Sequence, residues 1–280
     1  QRKASTMKKK ETKVEEEEAS PYPIMRLAQD MHRLTISKDA DLEVRVFQEI
    51  AEELENPSLY RLLREKLYAD TLPPVKLTED DLKVMEEKNK EKLVELKKAI
   101  EEAVESAGDM EVMDAHLALA RFAAKSLSES EVLGYYQEVL DLPKISSNKK
   151  IDSLLASARI SSFYSDTTKS DDFLEQAQKI AGDNADWDRR NRLKVYSALQ
   201  KLLHRDLEAA SKLLLECIAT FSSGELCEYN DFVVYAVLTN ILHLSRPDLK
   251  EKIVDGPEII SVAKDIPVVV RSPLPVKNCL

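Results

Sequence analysis

The sequence holds only five glycines in 280 residues, and they are scattered. There is no G-x-x-x-x-G-K-S/T string, so nothing here would cradle a nucleotide phosphate in the manner of a P-loop. Aromatic residues make up 6% of the chain, with a single Trp. The three cysteines, Cys217, Cys227 and Cys279, fit neither a disulfide framework nor a zinc pattern, so a reducing compartment is expected. No apolar run approaches the length that spans a bilayer. The first twenty residues lack the apolar core of a signal peptide. Basic residues number 41 against 51 acidic ones, a net charge of -10, which disfavours nonspecific nucleic-acid binding. His32, His116, His204 and His243 are far apart and form no H-E-x-x-H, so metalloprotease chemistry has no ligands. There is no G-x-S-x-G elbow. Carboxylate pairs such as Glu101 and Glu105 lie on a charged helical face that reads as solvated. The expectation is a chain without catalytic residues, cofactor, metal, nucleic-acid partner or membrane span.

What the sequence has in quantity is helix-forming residues: 43% hydrophobic, rich in Leu and Ala, with many Glu and Lys between. Residues 1 to 20 run basic at Lys8-Lys9-Lys10 and acidic at Glu15 to Glu18, and are expected to be a disordered charged tail. The chain opens on Gln1 rather than Met and reads as a fragment. Residues 21 to 75 form a first helical cluster. Within it, Ile24, Leu27, Met31 and Leu34 share one helix face. A second helix carries Leu42, Val46 and Ile50, with Glu49 and Glu53 expected on the wet side. Asn56-Pro57 starts a third, through Leu59, Leu62, Leu63 and Leu67. Thr78 and the acids after it open a long charged helix whose narrow seam is Leu93, Leu96, Ile100, Ala103 and Ala107.

From Asp109 the pattern becomes periodic. Paired amphipathic stripes start at 109, 148, 187 and 230, roughly forty residues apart, the period of helical-hairpin arrays. The spacing predicts helices at 109 to 126 and 128 to 140, at 148 to 165 and 170 to 181, and at 187 to 204 and 206 to 222. The fourth pair begins near Asn230 and has its partner at Arg246-Pro247-Asp248. The third pair shows the stripe Leu193, Tyr196, Leu199, Leu203, then Leu207, Ala210, Leu214, Cys217, Ile218, Phe221. Small residues Ala209 and Ala210 suit the close approach of a tetratricopeptide-like unit. The fold class is therefore all-α, an α-α superhelix of tetratricopeptide-like hairpins, with residues 78 to 265 as long helix plus array. Residues 266 to 280 lose helical spacing at Pro267, Pro273 and Pro275.

One cluster concentrates interaction-prone side chains: Trp187, Arg189, Arg190, Arg192 and Tyr196. It reads in two ways. Trp187 packs at a helix start while the arginines pair with acids of neighbouring helices and stack on rings. Or the patch binds a partner, since Trp and Arg are favoured anchors.

The string Asp186-Trp187-Asp188-Arg189-Arg190-Asn191-Arg192-Leu193-Lys194-Val195-Tyr196 resembles the family of the proteasome's non-ATPase regulatory subunit 6, the seventh lid subunit of the 19S regulatory particle. The likeness extends through His204 to Ala210, Thr220-Phe221 and Arg246 to Lys252, and covers most of residues 50 to 265. COP9 signalosome subunit 1 is similar in architecture. The resemblance implies a right-handed solenoid acting as a non-catalytic scaffold in ubiquitin-dependent degradation. It implies a hetero-oligomer with other lid subunits and the ATPase ring as partners, in cytoplasm and nucleus. That family continues into a PCI domain, which residues 266 to 280 do not match, so this chain reads as the helical-repeat part alone. A free tetratricopeptide-like adaptor that binds peptides is the competing reading from another class.

Overall fold

The computed structural model describes residues 21–263, apart from 38, 69–72 and 183–184. The expectations for residues 1–20, for 264–280 and for Cys279 fall outside that range. Among the described residues every regular element is helical, and the whole is an all-α repeat solenoid.

The N-terminal cluster comprises α1 (Met25–Ile36), α2 (Ala40–Gln48), which runs into a π-helical turn (Glu49–Glu53), and α3 (Pro57–Leu67). Asp39 caps α2 by accepting the backbone N–H groups of Asp41 and Leu42. Leu27, Val46, Phe47, Ile50 and Tyr60 make its core, and the Phe47 ring meets Tyr60 and Tyr68 edge-on. Buried Asp30 on α1 lies within 4.0 Å of Arg26, Arg33 and Arg45, which ties α1 to α2. Glu49 is not on the wet side as its spacing suggested. It is buried, with its carboxylate accepting Arg26 Nη2 at 3.0 and 3.1 Å. Glu49 comes three residues after Val46 and seven after Leu42, on the buried face of α2, and the π turn that begins there leaves Glu53 exposed. Leu62, expected inside, is 49% exposed.

Asn56 connects this cluster to the array. Its side-chain oxygen caps α3 through Leu59 N–H at 2.9 Å. Its amide donates to the carbonyls of Lys125 and Leu127 at 3.2 Å each. One buried side chain thus satisfies orphan groups at the end of one helix and the start of another.

Next comes α4 (Glu79–Ser106), opened by a capping box between Thr78 and Asp81. Only Leu82 and Asn89 of α4 are fully buried. Leu93, Leu96, Ile100 and Ala103 form a half-buried seam, so α4 lies along α5 (Asp109–Ser126) by a narrow stripe with its other faces wet.

The hairpins follow: α5 with α6 (Glu129–Leu140), α7 (Ser147–Phe163) with α8 (Thr167–Ala181), and α9 (Trp187–Leu203) with α10 (Leu207–Cys217). The fourth is α11 (Tyr229–His243) with α12 (Arg246–Leu249), and α13 (Pro257–Ala263) ends the described chain. Two of these turns share one construction. In α7–α8, Asp166 N–H bonds Ser161 O and Ser165 N–H bonds Ser162 O. In α9–α10, Asp206 N–H bonds Lys201 O and Arg205 N–H bonds Leu202 O. Ser165 and Arg205 are left-handed, with φ of 68° and 59°. Asp166 and Asp206 then cap the next helix through Lys169 and Ala209 N–H. This is a Schellman closure feeding straight into an N-cap, so the chain reverses in three residues.

One helix end differs from the spacing-based expectation: α10 stops at Cys217 and tightens into a 3-10 turn (Ile218–Thr220) rather than reaching 222. The partner of α11 starts at Arg246 as expected and runs as one α turn into a π turn (Lys250–Val254). Leu203, expected on the apolar face of α9, is 61% exposed. α9 packs against α7, α8 and α10, so Val195 and Ala198, off the expected stripe, are buried instead. Finally, α1 folds back onto α7: buried Arg159 donates to Tyr22 O at 2.6 Å.

Candidate functional site

The start of α9 is set by Asp186, whose carboxylate accepts Arg189 N–H at 2.9 Å and is also reached by Asn148 of α7 at 3.2 Å. This cap fixes the rotation of the helix and so the direction of every side chain in the cluster. Arg189 and Arg192, one turn apart, both point to α7. Arg189 donates from Nε and Nη2 to Asp152, at 2.7 Å for the shortest bond. Arg192 donates from Nη1 to the same carboxylate at 3.3 Å.

Arg192 also donates from Nε and Nη2 to Glu225 Oε1, at 3.3 and 2.9 Å. Tyr196 O–H donates to that same oxygen at 3.1 Å. Glu225 belongs to the loop between α10 and α11 and its side chain is only 6% exposed. Burial alone would lower the pKa of Arg192, but Glu225, Tyr196 and Asp152 together outweigh it and hold the guanidinium firmly charged. Burial pushes the Tyr196 phenol well above its ordinary value.

The structure therefore gathers Arg189, Arg192 and Tyr196 into one polar clamp that joins α7, α9 and the 221–228 loop. The sequence reading missed both acids of the clamp. Asp152 and Glu225 lie 37 and 33 residues from their arginines, and neither stands out locally. Arg190 is exposed and takes no part in these bonds. Among the described residues no arginine of the cluster stacks on a ring; the cation–π contacts are Lys97 on Tyr135 and Lys125 on Tyr22.

Trp187 occupies the first position of α9 and is 61% exposed. It borders a groove of about 1050 Å³ between the start of α1, the first turn of α9 and the 222–231 stretch.

The other chemically capable groups are held in packing roles. His204 pairs with Asp171 at 2.7 Å on the surface. Burial pushes the Cys217 thiol up to about 11 and the Cys227 thiol up to about 12. Among the described residues no group of three or more His, Cys, Asp or Glu could hold a metal ion. Nor is any helix there long and apolar enough to cross a membrane.

Stacked hairpins joined across α7, α9 and the 221–228 loop by ion pairs define a helical-repeat protein. Comparison with known sequences then identifies the family. The profile described as "26S proteasome subunit RPN7" matches residues 78–252, from α4 into the π turn after α12. The chain belongs to that family. It is 33% identical over 211 residues to "26S proteasome non-ATPase regulatory subunit 6" of Dictyostelium discoideum, covering 75% of this chain and 53% of that protein. It is 32% identical over 251 residues to "26S proteasome non-ATPase regulatory subunit 6 homolog" of Arabidopsis thaliana, covering 89% and 64%. Against "26S proteasome regulatory subunit RPN7" of Saccharomyces cerevisiae it is 34% identical over 176 residues, covering 62% and 41%. The chain thus spans between two fifths and two thirds of the length of these relatives.

Proposed function

We propose that this chain is a non-catalytic scaffold subunit of the lid of the 26S proteasome regulatory particle. It serves ubiquitin-dependent degradation by holding other lid subunits, and the ATPase ring beneath them, through protein–protein contacts. The observation that carries this reading is the extent of the family match. Residues 78–252 include α4 and all four hairpins, so the matched part is the surface-bearing array itself. In this reading residues 21 to 75 are an N-terminal cluster, residues 78 to 265 the array, and the working form is a hetero-oligomer in cytoplasm and nucleus.

A free peptide-binding adaptor is the less favoured reading. α7, α9 and α11 are the first helices of successive hairpins, the row on which such arrays seat peptides. Here the start of α1 touches α7, and Gln29 of α1 reaches Tyr235 of α11, so the chain's own helix crosses part of that row.

Affinity purification of the tagged chain from its own cells is the test. Recovery of lid subunits is expected. Recovery of signalosome subunits alone, or of none, would overturn the proposal.

A further inference from the structure

We infer that the groove beside Trp187 is a docking site for a lysine- or arginine-bearing segment of a partner polypeptide. The groove is formed where three segments meet: the start of α1, the first turn of α9 and the 222–231 stretch. Its apolar floor includes Ile24 and Met25, and the Trp187 ring stands at its edge, 61% exposed.

The charge of its walls decides the occupant. Each cation lining it is already neutralised within the chain: Arg26 by Glu49, Arg189 by Asp152, Arg192 by Glu225. The carboxylates of Asp188, Glu228 and Asp231 also line it, are exposed, and have no ion-pair partner among the described residues. Asp188 and Asp231 lie in the first turns of α9 and α11, where the helix dipoles offset part of their charge, roughly one unit in all. The groove stays negative. A cationic side chain entering it meets carboxylates and an aromatic face together, which suits an ammonium or guanidinium group. An acidic or purely apolar segment would leave those carboxylates uncompensated. The inference concerns binding by the purified chain, so it stands or falls separately from lid membership.

Because Trp187 is the chain's only Trp, its emission reports on the groove directly. The full chain is titrated with a labelled peptide alternating lysine, leucine and arginine, and with a twin in which glutamate replaces each cation. Expected are a rise in peptide anisotropy, a shift in Trp187 emission, and weaker binding at high salt for the basic peptide only. Asp188→Lys, Glu228→Lys and Asp231→Lys together should weaken binding by about tenfold or more. Should that variant fail to fold, Asp188→Asn with Glu228→Gln and Asp231→Asn decides, with a loss of about threefold. Equal binding of the acidic twin, binding that leaves Trp187 emission unchanged, or variants that bind like the parent would overturn the inference. So would a tenfold gain on Lys8→Glu, Lys9→Glu and Lys10→Glu, which would make the chain's own basic stretch the occupant.

Discussion

Replacing Glu225 tests whether the polar clamp holds the array. Its carboxylate accepts three bonds, two from Arg192 and one from Tyr196, at 2.9 to 3.3 Å. In Glu225→Ala all three donors lose their acceptor, and Arg192, 11% exposed, keeps only the 3.3 Å bond to Asp152. Breaking a buried pair by removing one partner costs about 3–5 kcal/mol. The surviving Asp152 bond places this case near the lower end, about 3 kcal/mol. Glu225→Gln keeps an oxygen acceptor and loses the charge, so about 1–2 kcal/mol is expected. Replacing both partners, as in Arg192→Leu with Glu225→Leu, removes the stranded charge and should cost no more than Glu225→Ala alone. Urea unfolding followed by Trp187 emission, beside far-UV circular dichroism, measures each. The two signals separate local release of α9 from collapse of the whole array, which repeat proteins permit. A loss below about 1 kcal/mol for Glu225→Ala, or a double variant losing the sum of two singles, would refute the clamp.

Four further outcomes are expected. Asn56→Ala should lower stability by about 2 kcal/mol in thermal or urea unfolding, because it removes a cap, leaves the half-buried Lys125 carbonyl without this donor, and leaves Leu127 O with only the Tyr164 O–H at 3.4 Å. Burial raises the Glu49 pKa from its ordinary value despite Arg26, so the unfolded chain releases that proton first. The native state is therefore relatively favoured below the unfolded pKa and loses this advantage as pH rises through the folded one. Glu49→Gln should accordingly gain on the parent as pH rises from about 4, the ordinary glutamate pKa, read as the difference between paired urea curves. Leu214→Ala, at a fully buried position, should cost about 3 kcal/mol, whereas Leu203→Ser should stay within about 0.5 kcal/mol. With both thiols raised by burial, Cys217 and Cys227 should resist a thiol reagent at neutral pH and react once the chain is unfolded, counted by mass spectrometry.

Most of the helical layout was legible because each helix carries its own punctuation. The capping boxes at Thr78 and Ser128 and the Asn56-Pro57 start are local chemistry, and all three open a helix where expected. The approximate repeat of paired stripes was equally visible. Errors arose where a side chain's type outweighed its position. Glu49 was placed on the wet side as a carboxylate, although it lies three residues after Val46 and seven after Leu42 on the buried face. Leu203 was misplaced because a single stripe describes a helix covered on one side, and α9 is covered by three neighbours. The candidate cluster was half legible: its arginines and tyrosine stand close in sequence, while their acids do not.

The sequence by itself determined the all-α character and the hairpin period, since propensity, capping and side-chain periodicity act over a few residues at a time; the family followed from the resemblance carried by residues 186 to 196 and from the match over residues 78–252. Tertiary structure alone decided what the arginines do. Asp152 and Glu225 reach Arg189 and Arg192 only after α7, α9 and the loop before α11 have stacked. An ion pair forms between positions in space, and no local rule of spacing carries that information across more than thirty residues.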